Sequence, residues 1–273
     1  MIWFLLALLL LAALYLFLIW PNWSRRPLSG FSGRHFAHRG LWGGDVPENS
    51  LEAFRRAAEA GHGIEMDVQL TRDDALVVFH DDDTARMCGE GGDIREKTLE
   101  EIAHLRLPNG EPIPSFDEVL KTVGGRVPLI IELKTCKRIS LLCEKVYERL
   151  QRYDGLWCME SFDPRAVRWF RLHAPQVIRG QLVTGIRSIE HPAAKHRLLA
   201  SLLPNILGRP DFIAQNIEND DRPTMRLMRI IRPHLVAWTV RRPEQWPRAR
   251  QYYDLIIFEG EIPSVDKSTD RVV

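Results

Sequence analysis

Gly63-Ile64-Glu65-Met66-Asp67-Val68 is a short apolar run interrupted by two acidic residues. Successive side chains of a β-strand point to opposite faces, so Glu65 and Asp67 are expected on the same face. Two like charges buried side by side are costly unless a cation neutralises them. The run therefore predicts a strand that carries part of a metal site.

A second apolar run, Pro128-Leu129-Ile130-Ile131-Glu132-Leu133-Lys134, ends with an acid and a base on one face. If both runs belong to one sheet or barrel, these two side chains meet the first pair of acids at the carboxyl ends of the strands. Three carboxylates suit one hard divalent cation, Ca²⁺ or Mg²⁺, better than zinc. Either strand alone is equally compatible with a structural ion pair at a strand end, whereas the two together favour a site.

Two histidines, His38 and His80, each follow a short apolar segment directly. A lone histidine at a strand end is more often a surface or capping residue than a catalyst. Two imidazoles beside three carboxylates instead suit general acid and base catalysis, which needs two groups that titrate near neutral pH. Arg39 and Lys134 add positive charge for an anionic oxygen, so the whole set indicates a site for a phosphate ester.

Several short motifs follow one another in a fixed order along the chain. Six lie between about residues 35 and 135, and two more lie further on: His38-Arg39-Gly40, Pro47-Glu48-Asn49-Ser50, Gly63-Ile64-Glu65-Met66-Asp67-Val68, Thr71-Arg72-Asp73, His80-Asp81, Glu132-Leu133-Lys134, Ser161-Phe162-Asp163 and Trp238-Thr239-Val240. In this order and spacing they resemble the glycerophosphodiester phosphodiesterase family. The resemblance weakens after the last strand, where family members usually carry a Thr-Asp pair and this chain has Phe258-Glu259-Gly260.

The resemblance implies a role for each matching residue. It implies three sets: the divalent-metal ligands Glu65, Asp67 and Glu132, the acid and base pair His38 and His80, and the phosphate-binding groups Arg39 and Lys134. Glu48 matches a further acid near the metal and the glycerol hydroxyls, and Asn49 is expected to hold its loop. Trp238 matches an aromatic residue of the pocket wall, although a tryptophan on an apolar strand is by default part of the core.

Apolar runs typical of strands alternate with helical patterns along the rest of the chain. The runs lie near residues 35–38, 64–70, 76–80, 128–133, 156–161, 176–183, 211–215, 235–240 and 254–258. This alternation predicts an α/β fold, a TIM-type (β/α)₈ barrel preceded by one N-terminal transmembrane helix. Only residues 71–75 separate the second and third runs, so we expect a hairpin-like pairing there. The predicted organisation is an anchor at 1–23, a linker at 24–34 and the barrel domain at 35–273.

Ser50 precedes a predicted helix at 50–60, and its hydroxyl is expected to cap that helix although residue 53 is alanine and completes no capping box. A second helical pattern lies at 140–150. The stretch 195–209 is both basic and leucine-rich. It is compatible with an interfacial helix that touches lipid beside the site, and equally with a barrel helix that packs its leucines inward.

The first 20 residues contain no charged side chain and are dominated by leucine. As a helix they would span roughly 30 Å, the thickness of the hydrocarbon core of a bilayer. A cleaved signal peptide is the alternative, but no basic segment precedes the run and no small-residue cleavage site follows it. The sequence therefore predicts an uncleaved, single-pass anchor in the cell membrane.

The basic residues Arg25, Arg26 and Arg34 lie after the apolar run and none precedes it. The positive-inside tendency then predicts a cytoplasmic catalytic domain, with an exported or periplasmic domain as the alternative. The four cysteines form no Cys-x-x-Cys pair, which is compatible with a reducing compartment. A net charge of +1 argues against a nucleic-acid partner, and the sequence identifies no protein partner.

Together these features predict metal-dependent hydrolysis of glycerophosphodiesters to an alcohol and glycerol 3-phosphate, in phospholipid or glycerol metabolism. The expected substrate is a small-molecule or lipid-derived phosphodiester. Phospholipase-D-like hydrolysis of lysophospholipids or glycerophospholipids is a second hypothesis. A non-catalytic, membrane-tethered barrel that binds phosphate headgroups is a third, and it is disfavoured because binding alone needs no acid and base pair.

Overall fold

The structure, a computed structural model, describes residues 1–24, 26–185, 194–220 and 222–262, and of Lys195 only the backbone. Its strands are β1 (His35–His38), β2 (Gly63–Leu70), β3 (Leu76–Val78), β4 (Leu129–Leu133), β5 (Trp157–Ser161), β6 (Arg179–Val183), β7 (Phe212–Asn216), β8 (His234–Val240) and β9 (Leu255–Phe258). Arg25 of the predicted basic flank and residues 263–273 of the predicted barrel domain lie outside the described residues.

Eight of these strands form a closed parallel barrel, which confirms the predicted TIM-type fold. Each strand pairs with the next in the order β1, β2, β4, β5, β6, β7, β8, β9, and β9 pairs with β1 to close the ring. The remaining strand, β3, pairs antiparallel with β2, as the short connection at 71–75 predicted. All eight residues of β2 are buried, so its two acids lie in the interior with its apolar residues.

The helices follow the strands in the order expected for βα units. They are α1 (Ile2–Ile19), α2 (Leu51–Glu59), α3 (Ala85–Cys88), α4 (Leu99–Ile102), α5 (Phe116–Val123), α6 (Ile139–Leu150), α7 (Pro164–His173), α8 (Ala194–Ala200), α9 (Asn205–Gly208), α10 (Pro223–Ile231) and α11 (Trp246–Tyr252). Short 3₁₀ turns lie at Ile94–Glu96, Ile217–Asn219 and Pro243–Gln245. Ser50 caps α2 as expected, because its Oγ accepts a hydrogen bond from the Ala53 N–H at 3.1 Å.

Among the residues that the structure describes, helix α1 contacts the barrel through its last turns, and residues 1–14 are exposed. The side chain of Asn205 donates to the Ile19 carbonyl at 2.9 Å, and the Arg209 guanidinium donates to the Phe17 and Trp20 carbonyls at 2.8 and 2.6 Å. These contacts join α1 to the connection between β6 and β7. The same connection carries α8 and α9, so the stretch at 195–209 forms two short helices rather than one.

The segment predicted as a linker packs against the barrel. Phe31 is fully buried, and its ring stacks on that of Phe36 at a centroid distance of 6.3 Å. The Arg26 guanidinium forms an ion pair with the Asp211 carboxylate at 2.5 Å, just before β7 begins. Because Asp211 lies at the amino end of its strand, this segment covers the end of the barrel opposite the carboxyl ends of the strands.

Candidate functional site

Three carboxylates converge inside the barrel. Glu65 and Asp67 come from β2 and Glu132 comes from β4, where Asp67 and Glu132 are paired in register. One oxygen of each carboxylate lies within 4.8 Å of the others, and all three side chains are buried. The period-two spacing of β2 therefore produces the cluster that the sequence predicted.

Two cations compensate part of this charge. The Lys134 Nζ lies 3.2 Å from Asp67 Oδ1 and 3.0 Å from Glu132 Oε1, and the Arg39 Nε lies 3.3 Å from Asp67 Oδ2. Burial alone raises the pKa of Asp67, but Lys134 and Arg39 outweigh it and hold the pKa of this carboxyl far below its usual range. Burial lowers the pKa of Lys134, and the two carboxylates raise it further than burial lowers it. Asp67 and Lys134 are therefore both charged at neutral pH.

The negative charge of Glu65 is less well compensated than that of Asp67. Its Oε2 accepts a hydrogen bond from the backbone N–H of Arg39 at 3.1 Å. Burial, followed by the charges of Asp67 and Glu132, raises the pKa of the Glu65 carboxyl well above its usual value. Burial also raises the pKa of Glu132, although Lys134 opposes this. Three buried oxygen ligands with an excess of negative charge match the chemistry of a hard divalent cation, so the residues present fit such an ion.

His38 ends β1 and faces the same cluster. Its Nε2 lies 3.8 Å from Glu65 Oε2, and its Nδ1 lies 2.5 Å from Glu259 Oε1. Burial lowers the pKa of His38, and the hydrogen bond that its Nδ1–H donates to Glu259 raises it in part. The turn that follows requires Gly40, where φ is +84° and an added Cβ would lie 2.8 Å from the backbone of Ala53. The turn thus holds His38 where β1 ends.

His80 approaches the cavity from the loop after β3. Its Nδ1 lies 2.7 Å from Asp81 Oδ1, and the Asp81 carboxylate accepts a hydrogen bond from the Arg86 Nε at 2.5 Å. Its side chain is about one-third exposed, with a relative accessibility of 32%, whereas that of His38 is nearly buried at 10%. The two imidazoles therefore differ in environment: His38 is nearly buried and His80 is partly exposed to solvent.

A cavity of about 170 Å³ lies between these groups. Its lining residues are His38, Arg39, Glu65, His80, Glu132, Glu160, Phe162, Leu182, Trp238, Thr239, Arg241 and Ile257. Asp67 and Lys134 lie outside this lining but contact it through Glu132 and Arg39. The structure thus brings the predicted acids, imidazoles and cations to one end of the barrel.

Glu48 and Asn49 hold the loop that follows β1. The Glu48 carboxylate accepts hydrogen bonds from Arg39 at 2.8 Å and from Arg86 at 2.5 Å. The Asn49 amide donates to Asp67 Oδ2 at 2.9 Å, in a backbone conformation with φ of +54°. Glu48 therefore does not line the cavity itself but contacts Arg39, which does.

Trp238 contributes both to the cavity wall and to packing. Its indole N–H donates to the Ala214 carbonyl at 3.0 Å, and its ring meets that of Phe162 edge to face at 5.5 Å. Trp238 also lines the cavity. The two interpretations of this residue, pocket wall and core, are thus compatible with each other.

Four polar residues of the site were not predicted as site residues: Glu160, Thr239, Arg241 and Glu259. The apolar lining residues Phe162, Leu182 and Ile257 were not predicted as site residues either. Glu160 lies in the buried strand β5, and a carboxylate in such a strand is the same signal that identified Glu65. Glu259 was visible only as a departure from the family pattern. Its partner His38 is brought close by barrel closure, since β9 pairs with β1.

The chain is similar to known proteins. A model of the glycerophosphoryl diester phosphodiesterase family matches residues 38–254. A glycerophosphodiester phosphodiesterase of Caldanaerobacter subterraneus subsp. tengcongensis is 44% identical over 160 residues, which are 54% of this chain and 65% of that protein. One of Bacillus altitudinis is 31% identical over 186 residues, 67% of this chain and 71% of that protein. The chain thus matches slightly less than two thirds of the first relative and slightly more of the second.

Solved structures share the fold. A phosphodiesterase of Oleispira antarctica, solved in complex with the product sn-glycerol-3-phosphate, superposes with a TM-score of 0.70. The two sequences are 24% identical, and the match covers 84% of this chain and 93% of the other. A likeness at this identity establishes the barrel architecture.

Proposed function

The chain belongs to the glycerophosphoryl diester phosphodiesterase family, whose members are phosphoric diester hydrolases, and we propose that it hydrolyses glycerophosphodiesters to an alcohol and glycerol 3-phosphate. The observation that carries this proposal is the buried cluster of Glu65, Asp67 and Glu132 beside two imidazoles that line one cavity. A phosphate-binding module needs cations and backbone donors but no paired imidazoles. The acid and base pair is what favours catalysis over binding.

We propose that Glu65, Asp67 and Glu132 hold one divalent cation, Ca²⁺ or Mg²⁺. Their oxygen ligands and their uncompensated negative charge support a hard ion over zinc. When bound, the ion supplies Lewis-acid polarisation of the phosphoryl oxygens. Arg39 lines the cavity and Lys134 lies beside Glu132, so both are placed to bind the anionic phosphate oxygens.

His38 and His80 are proposed to move the protons. One imidazole accepts the proton of the attacking hydroxyl as the new P–O bond forms. The other donates a proton to the alcohol oxygen as the original P–O bond breaks. The attacking hydroxyl is either that of water, which gives glycerol 3-phosphate directly, or that of the glycerol C2 position, which gives a cyclic phosphate. In the second route water then opens the ring: an imidazole accepts the proton of the water, and the ring oxygen that leaves phosphorus receives a proton. The Nδ1 contacts to Glu259 and Asp81 leave each Nε2 available for this chemistry.

A metal-supplemented assay tests the proposal. Purified protein stripped with EDTA is expected to be inactive on glycerophosphocholine and to regain activity with Ca²⁺ or Mg²⁺. His38→Ala and His80→Ala are each expected to lose about 10²- to 10⁴-fold in turnover while keeping the fold. Metal-independent turnover, or a His38→Ala variant as active as wild type, would contradict the proposed site.

We also propose that α1 is a retained membrane anchor. It is long and apolar enough to cross a bilayer, a property that a signal sequence shares. Its last residues are bonded to Asn205 and Arg209 of the barrel, and Ile19 is fully buried. Cleavage after this helix would expose that buried surface, which supports retention.

The catalytic domain is proposed to lie in the cytoplasm, on the basis of the flanking Arg26 and Arg34. Protease added to intact spheroplasts is expected to leave the barrel intact and to degrade it only after lysis. Degradation from the outside would reverse the orientation and place the enzyme on the exported face.

A second substrate class, the lysophospholipids, is favoured by a larger neighbouring cavity of about 780 Å³. Phe162, Leu198, Leu199 and Pro204 supply apolar wall to this cavity, and Glu132 and Lys134 lie where it meets the site. Its wall includes α8, on the same connection that contacts α1. An acyl chain entering from the membrane surface would therefore meet an apolar wall beside the phosphate.

Leu198→Glu tests this substrate class, since Leu198 is half exposed on α8. The variant is expected to lose turnover of lysophosphatidylcholine micelles by about tenfold and to keep that of soluble glycerophosphocholine. Leu172→Glu is a matched control, because Leu172 is equally exposed on α7 and lines neither cavity. Equal effects of both variants would exclude a role for α8 in lipid binding.

A further inference from the structure

Two cavities of different size meet at the centre of the site. Glu132 and Phe162 line both the cavity of about 170 Å³ and the cavity of about 780 Å³. Lys134 lines the larger one and Arg39 the smaller one. A phosphate held between these two cations would direct its two ester arms into different spaces. The smaller space has room for a three-carbon polyol, and the larger one accepts an alcohol of variable size.

The smaller cavity contains two buried oxygen atoms without a protein partner. The Oε2 of Glu160 and the Oγ1 of Thr239 have no hydrogen-bond partner among the residues that the structure describes. These residues are only 1% and 2% exposed, and both line the cavity. Buried polar atoms in native proteins are nearly always hydrogen-bonded, and an unpaired one is destabilising. Because both residues line the cavity, a ligand bound there can supply the missing partners.

The remaining walls of this cavity suit a polyol. Phe162 and Trp238 present aromatic surface, and Leu182 and Ile257 present aliphatic surface, for the C–H groups of a small carbon chain. A carboxyl and a hydroxyl then supply directional partners for hydroxyl groups, which donate to Glu160 and exchange hydrogen bonds with Thr239. Apolar walls with a few convergent polar atoms are the usual composition of a small-molecule site.

We infer that Glu160 and Thr239 form a polyol subsite that binds the hydroxyl groups of the glycerol arm, while the other alcohol occupies the larger cavity. This inference rests on the proposed function and assigns the two ester arms within it. It also separates Glu160 from the metal-binding acids, although Glu160 is the register partner of Glu132 on the neighbouring strand. The subsite accounts for a carboxylate that neither the metal nor the proton transfers require.

Binding of two small phosphates tests the subsite without turnover. The full chain in detergent, saturated with Ca²⁺, is titrated calorimetrically with glycerol 3-phosphate and with methyl phosphate, which lacks the polyol. Wild type is expected to bind glycerol 3-phosphate more tightly. Glu160→Met and Thr239→Val are each expected to weaken glycerol 3-phosphate about tenfold and to leave methyl phosphate unchanged. Neither variant is expected to lower the Tm, because each removes an oxygen that has no partner.

Thr224→Val is the matched control, since Thr224 also has an unpartnered buried Oγ1 but lines neither cavity. It is expected to change neither affinity. A wild-type protein that binds both phosphates equally, or variants that weaken both equally, would overturn the subsite. Weakened Ca²⁺ binding in Glu160→Met would instead make Glu160 a metal ligand and also overturn it. Failure of the proposed function would appear separately, as absent turnover of glycerophosphocholine by wild type.

Discussion

The Nδ1 atom of His38 lies 2.5 Å from the Oε1 atom of Glu259, and the Arg241 guanidinium donates to both oxygens of the same carboxylate at 2.6 and 2.8 Å. Burial raises the pKa of Glu259, but the hydrogen bonds from His38 and Arg241 outweigh it and lower the pKa to about 2. An ionised acceptor at Nδ1 keeps the proton on that nitrogen and leaves Nε2 facing Glu65 and the cavity. Glu259 is thus a positioning residue for His38.

Glu259→Gln is expected to reduce kcat by roughly 10- to 100-fold, less than loss of the imidazole itself, which is worth about 10²- to 10⁴-fold. The amide keeps the size of the side chain but no longer fixes the ring with a charged acceptor. KM is expected to change little, because Glu259 lines neither cavity. Steady-state kinetics on glycerophosphocholine measure both parameters.

Glu218→Gln is the control for this variant, because Glu218 is an exposed acid that pairs only with Arg242, at 3.4 Å, among the described ion pairs. It is expected to be as active as wild type. Glu259→Asp is expected to recover part of the lost turnover, since it restores the charge at a longer distance. A Glu259→Gln variant with unchanged kcat would show that packing alone orients His38.

The pH profile gives an independent test of the same contact. Burial lowers the pKa of His38, so the limb of the kcat/KM profile that His38 controls is expected below pH 6.5. The bond to Glu259 raises that pKa in part, and Glu259→Gln removes this contribution. The limb is therefore expected to move to still lower pH in Glu259→Gln and to stay in place in Glu218→Gln. Movement of the limb to higher pH would contradict the inference that Glu259 raises the pKa of His38.

Glu65→Gln is expected to have opposite effects on stability and on metal binding. The folded-state pKa of Glu65 lies above its unfolded value, so the metal-free fold loses stability as the pH rises above the unfolded pKa, and the loss is complete once the pH exceeds the folded pKa. Glutamine removes this cost, so the free energy of unfolding of the metal-free variant is expected to rise by about 1 to 3 kcal/mol. The free energy of unfolding of wild type is expected to rise by about 2.7 kcal/mol when the cation is present at 100 times its Kd. That of the variant is expected to rise much less.

Thermal unfolding of wild type and Glu65→Gln with EDTA and with Ca²⁺ measures both effects: the higher stability of the metal-free variant and its smaller stabilisation by the cation. Glu148→Gln is the control, because Glu148 is exposed on α6 and lines neither cavity. Its Tm is expected to follow that of wild type in both conditions. A metal-free Glu65→Gln protein that is less stable than wild type would show that Glu65 is already compensated in the empty site.

Strand periodicity explains why much of the site was predictable. The alternation of β2 fixes Glu65 and Asp67 on one face whatever the rest of the chain does, and Glu132 sits in an equally clear apolar run. The short connection at 71–75 likewise leaves no room for a crossover helix, so the length of this connection alone predicted the hairpin of β2 and β3.

The contact of His38 with Glu259 could not be predicted in the same way. It joins residues 221 positions apart, and it exists because closure of the barrel pairs Ala37 with Phe258. No local pattern encodes that register. Glu160 is a different case, since a carboxylate in the buried strand β5 gave the same signal as Glu65. Its unpartnered oxygen and its cavity, however, are properties of the assembled site.

The contact between α1 and the barrel predicts how firmly this helix is held against the barrel. Arg209 is nearly buried, donates to the carbonyls of Phe17 and Trp20, and places its guanidinium 4.8 Å from the centre of the Phe17 ring. Arg209→Ala removes these interactions, which are worth about 2 to 3 kcal/mol together. Separation of α1 from the barrel is expected to become roughly 30- to 150-fold more frequent.

Limited trypsin digestion in nanodiscs measures this separation through the rate of cleavage after Arg26 and Arg34. Arg197→Ala is the control, because Arg197 is exposed on the neighbouring α8. It is expected to leave that rate unchanged. Both variants are expected to keep wild-type turnover of soluble glycerophosphocholine, since Arg209 and Arg197 line neither cavity. A cleavage rate that does not respond to Arg209→Ala would mean that the burial of Ile19 and Phe31 holds the helix and linker by itself.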